Sequence, residues 1–71
     1  MIDISYRCRT IRLCSYQCGG QWVPEAMVLT SMPSGITGDP IRSVFWYGTR
    51  EEADAVAVAL AKEWIDQTNN D

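Results

Sequence analysis

Apolar and polar residues alternate along the first segment of the chain. Between Ile4 and Ser15 every second position is apolar up to Cys8, and the apolar phase then shifts to Ile11 and Leu13. Alternation with a period of two predicts β-strand, because successive strand side chains point to opposite faces. The phase shift around Arg9-Thr10 indicates either a bulge in one long strand or a tight turn between two shorter strands.

The middle of the chain predicts two further strands. Gly19-Gly20 closes a loop before a second main strand from Gln21 to Thr30, in which Pro24 must lie at an edge or a bulge because it cannot donate to a ladder. A third strand is predicted from Ile41 to Tyr47, where β-branched and aromatic residues are concentrated. The segment from Ser31 to Pro40 is rich in Pro and Gly, which predicts an exposed, mobile loop.

The C-terminal segment predicts a helix from Arg50 to about Gln67, which contains neither Gly nor Pro. Thr49 and Glu52 have the spacing of a capping box at its start. At the helical spacing, one apolar stripe contains Ala53, Val56, Ala57, Leu60, Ala61 and Trp64, with Val58 and Ile65 at its border. Residues 68–71 are predicted to form a frayed tail.

These elements predict one domain over residues 1–71, because a chain of this length is too short for two cores. The predicted fold class is α+β, with a three- or four-stranded antiparallel sheet packed on one face by the single C-terminal helix. Such a core is marginal in size, so a partner subunit would add stability.

The sheet carries more apolar residues than one helix can cover. We expect five of them to point toward the helix, namely Trp22, Ala26, Val28, Phe45 and Tyr47. The open face would then carry Val23, Met27, Leu29, Val44 and Trp46. An apolar patch of this kind indicates an interaction surface, which predicts a homodimer or a protein partner bound through the sheet. Two alternatives are that the 31–40 loop covers this face, or that these residues are scattered surface hydrophobes.

Composition excludes several classes of protein. An apolar fraction of 46% with a net charge of −3 is atypical of intrinsic disorder. No apolar run reaches the length of a membrane span, and the N-terminus does not resemble an export signal, so we expect a soluble, cytoplasmic protein without a membrane partner. The chain has no histidine and no nucleophile or phosphate-binding motif, so we expect neither an enzyme nor a cofactor.

Three cysteines are present, and their odd number is incompatible with a fully paired disulfide scaffold. Cys8, Cys14 and Cys18 are spaced unlike the paired ligands of structural zinc sites, so we expect reduced thiols and no metal. Cys14 and Cys18 flank a predicted turn, and a bond between them in an oxidised sample is the alternative.

Charge is distributed unevenly, which gives a second functional hypothesis. Residues 1–48 contain four arginines and three acidic residues, whereas residues 49–71 contain two basic and six acidic residues. The arginines of the sheet half could contact phosphates while neighbouring aromatic residues stack on bases. The acidic isoelectric point, near 4.6, opposes this nucleic-acid hypothesis. Its candidate residues are Arg7, Arg9, Arg12 and Arg42.

Three sequence segments carry a resemblance: Tyr-Arg-x-Arg-x-Ile-Arg at 6–12, Gly-Gln-Trp-Val-Pro-Glu-Ala-x-Val at 20–28, and Gly-Thr-Arg-Glu-Glu-Ala followed by Ala-Lys-x-Trp-Ile-Asp within 48–66. The chain resembles small bacterial single-domain proteins that form a domain of unknown function. Looser similarities are to haemolysin transcriptional activators and to ethylene-response-type DNA-binding domains of plants. The first resemblance implies three or four strands and a C-terminal helix, and implies no activity. The leading hypothesis is therefore a self-associating, non-enzymatic interaction module, with a nucleic-acid-binding or regulatory domain as the alternative.

Overall fold

A computed structural model describes residues 2–68 and shows an α+β fold, as predicted. A four-stranded antiparallel sheet has the strand order β1-β2-β5-β6, and strands β3 and β4 form a separate two-stranded sheet. One C-terminal helix packs against β2, β5 and β6. The elements in chain order are β1 (Ile2–Tyr6), β2 (Arg9–Leu13), β3 (Tyr16–Cys18), β4 (Gln21–Val23), β5 (Glu25–Met32), β6 (Gly35–Arg42) and α1 (Arg50–Thr68).

The phase shift in the first segment is a turn and not a bulge. Tyr6 pairs with Arg9, and the two residues between them form the connection of the β1-β2 hairpin. Arg7 and Cys8 have φ values of 50° and 62°, the left-handed conformation that a type I′ turn requires at both central positions. Asn and Gly are the usual residues there, so Arg7 and Cys8 adopt this conformation at a cost in backbone strain.

The predicted second strand is interrupted at Pro24. Strand β4 ends at Val23, and β5 begins at Glu25 in the larger sheet. The Gly19-Gly20 turn is confirmed, because it joins β3 to β4 with φ values of 59° and 82°. Proline lacks the N–H that a continuous central strand needs, so the chain changes sheets at this residue.

The prediction of a loop over residues 31–40 is wrong, because these residues form the end of β5 and most of β6. Met32 pairs with Gly35 across a two-residue turn that begins with Pro33, whose fixed φ suits that position. Pro40 is tolerated because β6 is an edge strand. Composition predicts a loop here because Gly and Pro disfavour strands in general, whereas an edge position removes much of that penalty.

The predicted third strand from Ile41 to Tyr47 is wrong for the residues after Arg42. Strand β6 ends at Arg42, and of the following residues only Tyr47 forms an isolated bridge, with Trp22. Their backbones exchange two hydrogen bonds, of 2.7 and 2.9 Å. Despite its β-branched and aromatic composition, the segment after Arg42 is a surface loop, and this bridge holds its C-terminal end.

Helix α1 closely matches its predicted bounds but is rotated relative to the predicted stripe. Its fully buried residues are Ala53, Ala57, Ala61 and Ile65, one on every fourth position. Three alanines on this ridge allow the helix backbone to approach the sheet closely. The helix packs mainly on Ile11, Leu13, Ala26, Val28 and Ile41 of the sheet.

The helix cap forms as half of the predicted box. The backbone N–H of Glu52 donates to Oγ1 of Thr49 over 3.2 Å, while the Thr49 hydroxyl donates to Oε1 of Glu52 over 3.1 Å. Thr68 is helical, and the rest of the predicted frayed tail lies outside the described residues. Within residues 2–68 there is no helix that is both long and apolar enough to cross a membrane.

Candidate interaction surface

The strand register divides the four-stranded sheet into a helix-covered face and an open face. Residues that pair directly across antiparallel strands share a face. Ile11 and Val28 pair on the helix-covered face. The pairing places Asp3, Ser5, Thr10, Arg12, Glu25, Met27, Leu29, Ser31, Ile36, Gly38, Pro40 and Arg42 on the open face.

Met27 and Leu29 form the apolar centre of the open face. Gly38 lies opposite Leu29 on β6, and a Cβ atom placed on this glycine would lie 3.2 Å from Sδ of Met27 and 3.5 Å from Cδ2 of Leu29. The two side chains therefore lie over the glycine backbone. Pro40 opposite Met27 and the exposed Ile36 extend the apolar area along β6.

Two ion pairs lie beside this apolar centre. Arg12 donates to Asp3 through Nε (2.9 Å) and a terminal nitrogen (3.1 Å), and Arg42 lies 3.1 Å from the Glu25 carboxylate. The hydrogen bonds from Arg12 lower the pKa of Asp3 below its ordinary value, with a smaller contribution from the charge itself. The Arg12-Asp3 pair is partly exposed, and in the second pair Arg42 is exposed while Glu25 is mostly covered, so solvent weakens both pairs and they contribute little to the stability of the fold.

The structure places two of the five predicted interface residues on the open face, Met27 and Leu29. Val23 is buried, because β4 leaves the plane of the larger sheet at Pro24. Val44 and Trp46 are exposed, but they lie in the loop after β6 and not on a strand.

The predicted inward set is likewise corrected in part. Ala26 and Val28 are buried under the helix, as predicted. Trp22 and Tyr47 are half-buried, and the guanidinium of Arg50 lies 5.8 Å from the centre of the Trp22 ring. Phe45 is 68% exposed, because the third strand that would have turned it inward does not form.

The loop between β6 and α1 presents three consecutive apolar side chains to solvent. Val44 is 88% exposed, Phe45 68% and Trp46 51%. Its backbone is attached at both ends, by a hydrogen bond from Ser43 to the Pro24 carbonyl and by the Tyr47 bridge. This aromatic loop is a second exposed apolar region, which the sequence assigned to a strand.

A polar cluster connects the β1-β2 turn to the end of the helix. The Tyr6 hydroxyl donates to Asp66 over 2.8 Å, and Nε of Arg7 lies 2.9 Å from the same carboxylate. Arg9 donates to the Thr68 hydroxyl over 2.7 Å, and its guanidinium lies 5.8 Å from the centre of the Trp64 ring. Positive charge near a helix C-terminus is favourable, so this cluster stabilises the helix end.

The four arginines of the nucleic-acid hypothesis do not form one patch. Arg7 and Arg9 lie at the helix end, whereas Arg12 and Arg42 lie on the open face. Among residues 2–68, Arg7 pairs with Asp66, Arg12 with Asp3 and Arg42 with Glu25. Phosphate contacts would have to break these pairs, so the arrangement disfavours this hypothesis.

The three cysteines are free thiols, with Cys8 and Cys18 exposed and Cys14 half-buried. In the described part of the chain, no group of three or more Cys, Asp or Glu side chains is arranged to hold a metal ion.

An open groove lies between the edge strand β6 and helix α1. It has a volume of about 330 Å³ and is lined by Pro40, Ile41, Arg42, Leu60, Glu63, Trp64 and Gln67. Sequence reasoning missed this groove, because it assigned part of β6 to a loop. The signal that could have revealed it is the half-buried pair Leu60 and Trp64, which faces beyond the edge of the sheet.

Comparison of the chain with protein-family models, with curated proteins and with solved structures finds no match.

Proposed function

We propose that the protein is a non-enzymatic interaction module that self-associates through the open face of its four-stranded sheet. The observation that supports this proposal is the apolar pair Met27 and Leu29, which packs over Gly38 on the face away from the helix. An apolar area flanked by charged side chains on an exposed sheet face is typical of a contact surface. The structure excludes one alternative, because residues 31–40 belong to the β5-β6 hairpin and do not fold over this face.

The charges of the open face favour a second copy of the chain as the partner. The face carries one Asp-Arg pair and one Glu-Arg pair, so a positive and a negative charge lie together on each side of the apolar centre. A two-fold axis through the centre brings the same patch of each subunit together, and acidic groups of one copy can then lie opposite arginines of the other. Two sheets packed in this way form an apolar layer about 10 Å thick.

The size of the domain adds a thermodynamic reason. A chain of 71 residues buries only about 60% of the surface that its unfolded form exposes, so its own core is small. Burying Met27 and Leu29 between two copies would add apolar area at about 25 cal/mol per Å² before the costs of association. Self-association would therefore stabilise the fold in a concentration-dependent way.

Analytical ultracentrifugation tests this proposal. We expect the wild-type protein to sediment as a dimer of its 8.0 kDa chain at high concentration, and Met27→Lys to sediment as a monomer. Ala55→Lys adds the same charge on an exposed helix position and serves as the matched control. A strictly monomeric wild-type protein, or a dimer unaffected by Met27→Lys, would contradict the proposal.

Salt dependence separates self-association from nucleic-acid binding. An apolar contact persists at 1 M NaCl, whereas binding to phosphates weakens steeply with salt. Trp46→Lys in the same experiment measures whether the aromatic loop contributes to the dimer. An electrophoretic mobility shift with mixed single- and double-stranded DNA at low salt tests the alternative directly, and we expect no shift.

A further inference from the structure

The outer edge of strand β6 carries backbone groups that no other strand of the sheet pairs with, since β6 is the last strand in the order. In an antiparallel pair, every second residue forms its backbone hydrogen bonds with the partner strand, and the residues between point their peptide groups outward. Ser43 belongs to the inward set, because its backbone N–H donates to the carbonyl of Pro24. That alternation directs the peptide groups of Ile36, Gly38, Pro40 and Arg42 away from β5. Each of them presents a carbonyl, and all except Pro40 also present an N–H.

The groove beside this edge is suited to side chains of an added strand. Three consecutive β6 residues form one wall, from Pro40 to Arg42, and Leu60 and Trp64 of the helix form the apolar part of the other. Its volume of about 330 Å³ lies at the lower end of the range of about 300–1,000 Å³ for ligand sites. Strand β1 is the other edge strand of the sheet, but the groove beside it is lined by one strand residue, Tyr6, and otherwise by helix residues, so that groove contains little of the strand edge.

Two carboxylates lie in the groove or next to it. Glu63 is an exposed groove residue, and Asp39 pairs with Val28 on the helix-covered side of β6, next to the groove. The positive charge of Arg42 is already paired with Glu25. An occupant with lysine or arginine beside an apolar side chain is therefore complementary to this site.

We propose that an extended segment of another protein, with an apolar side chain flanked by basic ones at alternate positions, adds to β6 as a fifth strand. Backbone hydrogen bonds to Gly38 and Arg42 hold the segment, and its apolar side chain contacts Leu60 and Trp64. This mode of recognition uses the main chain for affinity and the groove for specificity. A second copy fits less well, because its own Asp39 would meet the acidic groove.

A blocked peptide, acetyl-Lys-Thr-Leu-Thr-Lys-Thr-amide, serves as the probe, because its lysines and leucine share one face when it is extended. We titrate it into ¹⁵N-labelled protein by NMR and expect shifts at the amides of Gly38 and Arg42 and at the indole of Trp64. No binding, or shifts centred on Met27 and Leu29, would overturn the proposal.

Two N-methylated peptides test for backbone pairing with the wild-type protein. One carries the methyl group on the leucine nitrogen and the other on the nitrogen of the following threonine. Because alternate N–H groups of an added strand point to the edge, only one of these peptides should lose binding, by about tenfold or more. Equal affinity of the two analogues overturns strand addition.

A matched pair of protein variants tests the same edge from the other side. Arg42→Ala removes the side chain and its ion pair, whereas Arg42→Pro also removes the outward N–H. We expect the proline variant to bind the probe about tenfold more weakly than the alanine variant, with the helical circular dichroism of both preserved. Equal binding overturns the proposal, and so does an oligomeric state that differs between the two variants, because a second copy then occupies the edge.

A monomeric wild-type protein would leave this site intact while contradicting the dimer proposed above.

Discussion

The rotation of helix α1 on the sheet can be tested by shortening one buried side chain. Ile65 is fully buried in the core with Ile11 and Val28, whereas the sequence pattern places it at the border of the apolar stripe. Val56 shows the reverse difference: the apolar sequence pattern includes it in the buried stripe, whereas the structure leaves it half-buried. Ile65→Ala and Val56→Ala therefore distinguish the two orientations.

The expected cost of Ile65→Ala follows from transfer and cavity terms. Each carbon atom removed from the core costs about 0.8 kcal/mol, and the cavity raises the total for Ile→Ala to about 2–5 kcal/mol. Val56→Ala, at a half-buried position, should cost about 1 kcal/mol or less. At about 0.05–0.15 kcal/mol per residue, the whole domain is stable by about 4–11 kcal/mol, so Ile65→Ala removes a large part of its stability.

Urea denaturation followed by circular dichroism measures both variants. It is carried out at low micromolar concentration, so that self-association does not contribute to the free energy of unfolding. A loss of about 3 kcal/mol would also lower the melting temperature by about 12–24 °C. A cost for Ile65→Ala below about 1 kcal/mol, or below that of Val56→Ala, would refute the described packing of the helix.

Three further predictions concern local features. Cys8→Gly should stabilise the protein by about 0.5–1 kcal/mol in urea denaturation, because glycine adopts the positive φ of this turn without strain, and Cys8→Val should destabilise it. NMR titration should show the pKa of Asp3 below its ordinary value of about 3.9 in the wild-type protein, and closer to that value in Arg12→Gln. Because the folded-state pKa is lowered, the contribution of this pair to stability is present above about pH 4. It is lost as the pH falls through the lowered pKa of the folded state. Thr49→Ala should cost about 1 kcal/mol, because the N–H of Glu52 loses its capping acceptor, whereas Thr49→Ser should cost little.

The assignment of residues to the open face of the sheet was correct where the strand is regular. Met27 and Leu29 share a face because residues two apart in any strand do, so alternation alone placed them correctly. Val23 lies before Pro24 and belongs to another sheet, and Val44 and Trp46 follow the end of β6. For these residues the side-chain direction depends on where the chain leaves the sheet, which spacing does not encode.

The sequence by itself determined the local features of this protein. The cap at Thr49, the helix that begins at Arg50 and the Gly19-Gly20 turn depend on backbone preferences and on contacts within a few residues, so the residue types specify them directly. The α+β class follows from the same local signals.

Only the tertiary structure decided how these elements pair. Residues 35–40 belong to strand β6 because an edge of the sheet tolerates Gly38 and Pro40, and that edge exists only once β5 is in place. The groove beside β6 and the burial of Ile65 likewise depend on the contact of the helix with strands far away in the chain. The free energy of burial and strand pairing comes from such distant contacts, and it outweighs the local preferences of about 1 kcal/mol or less per residue.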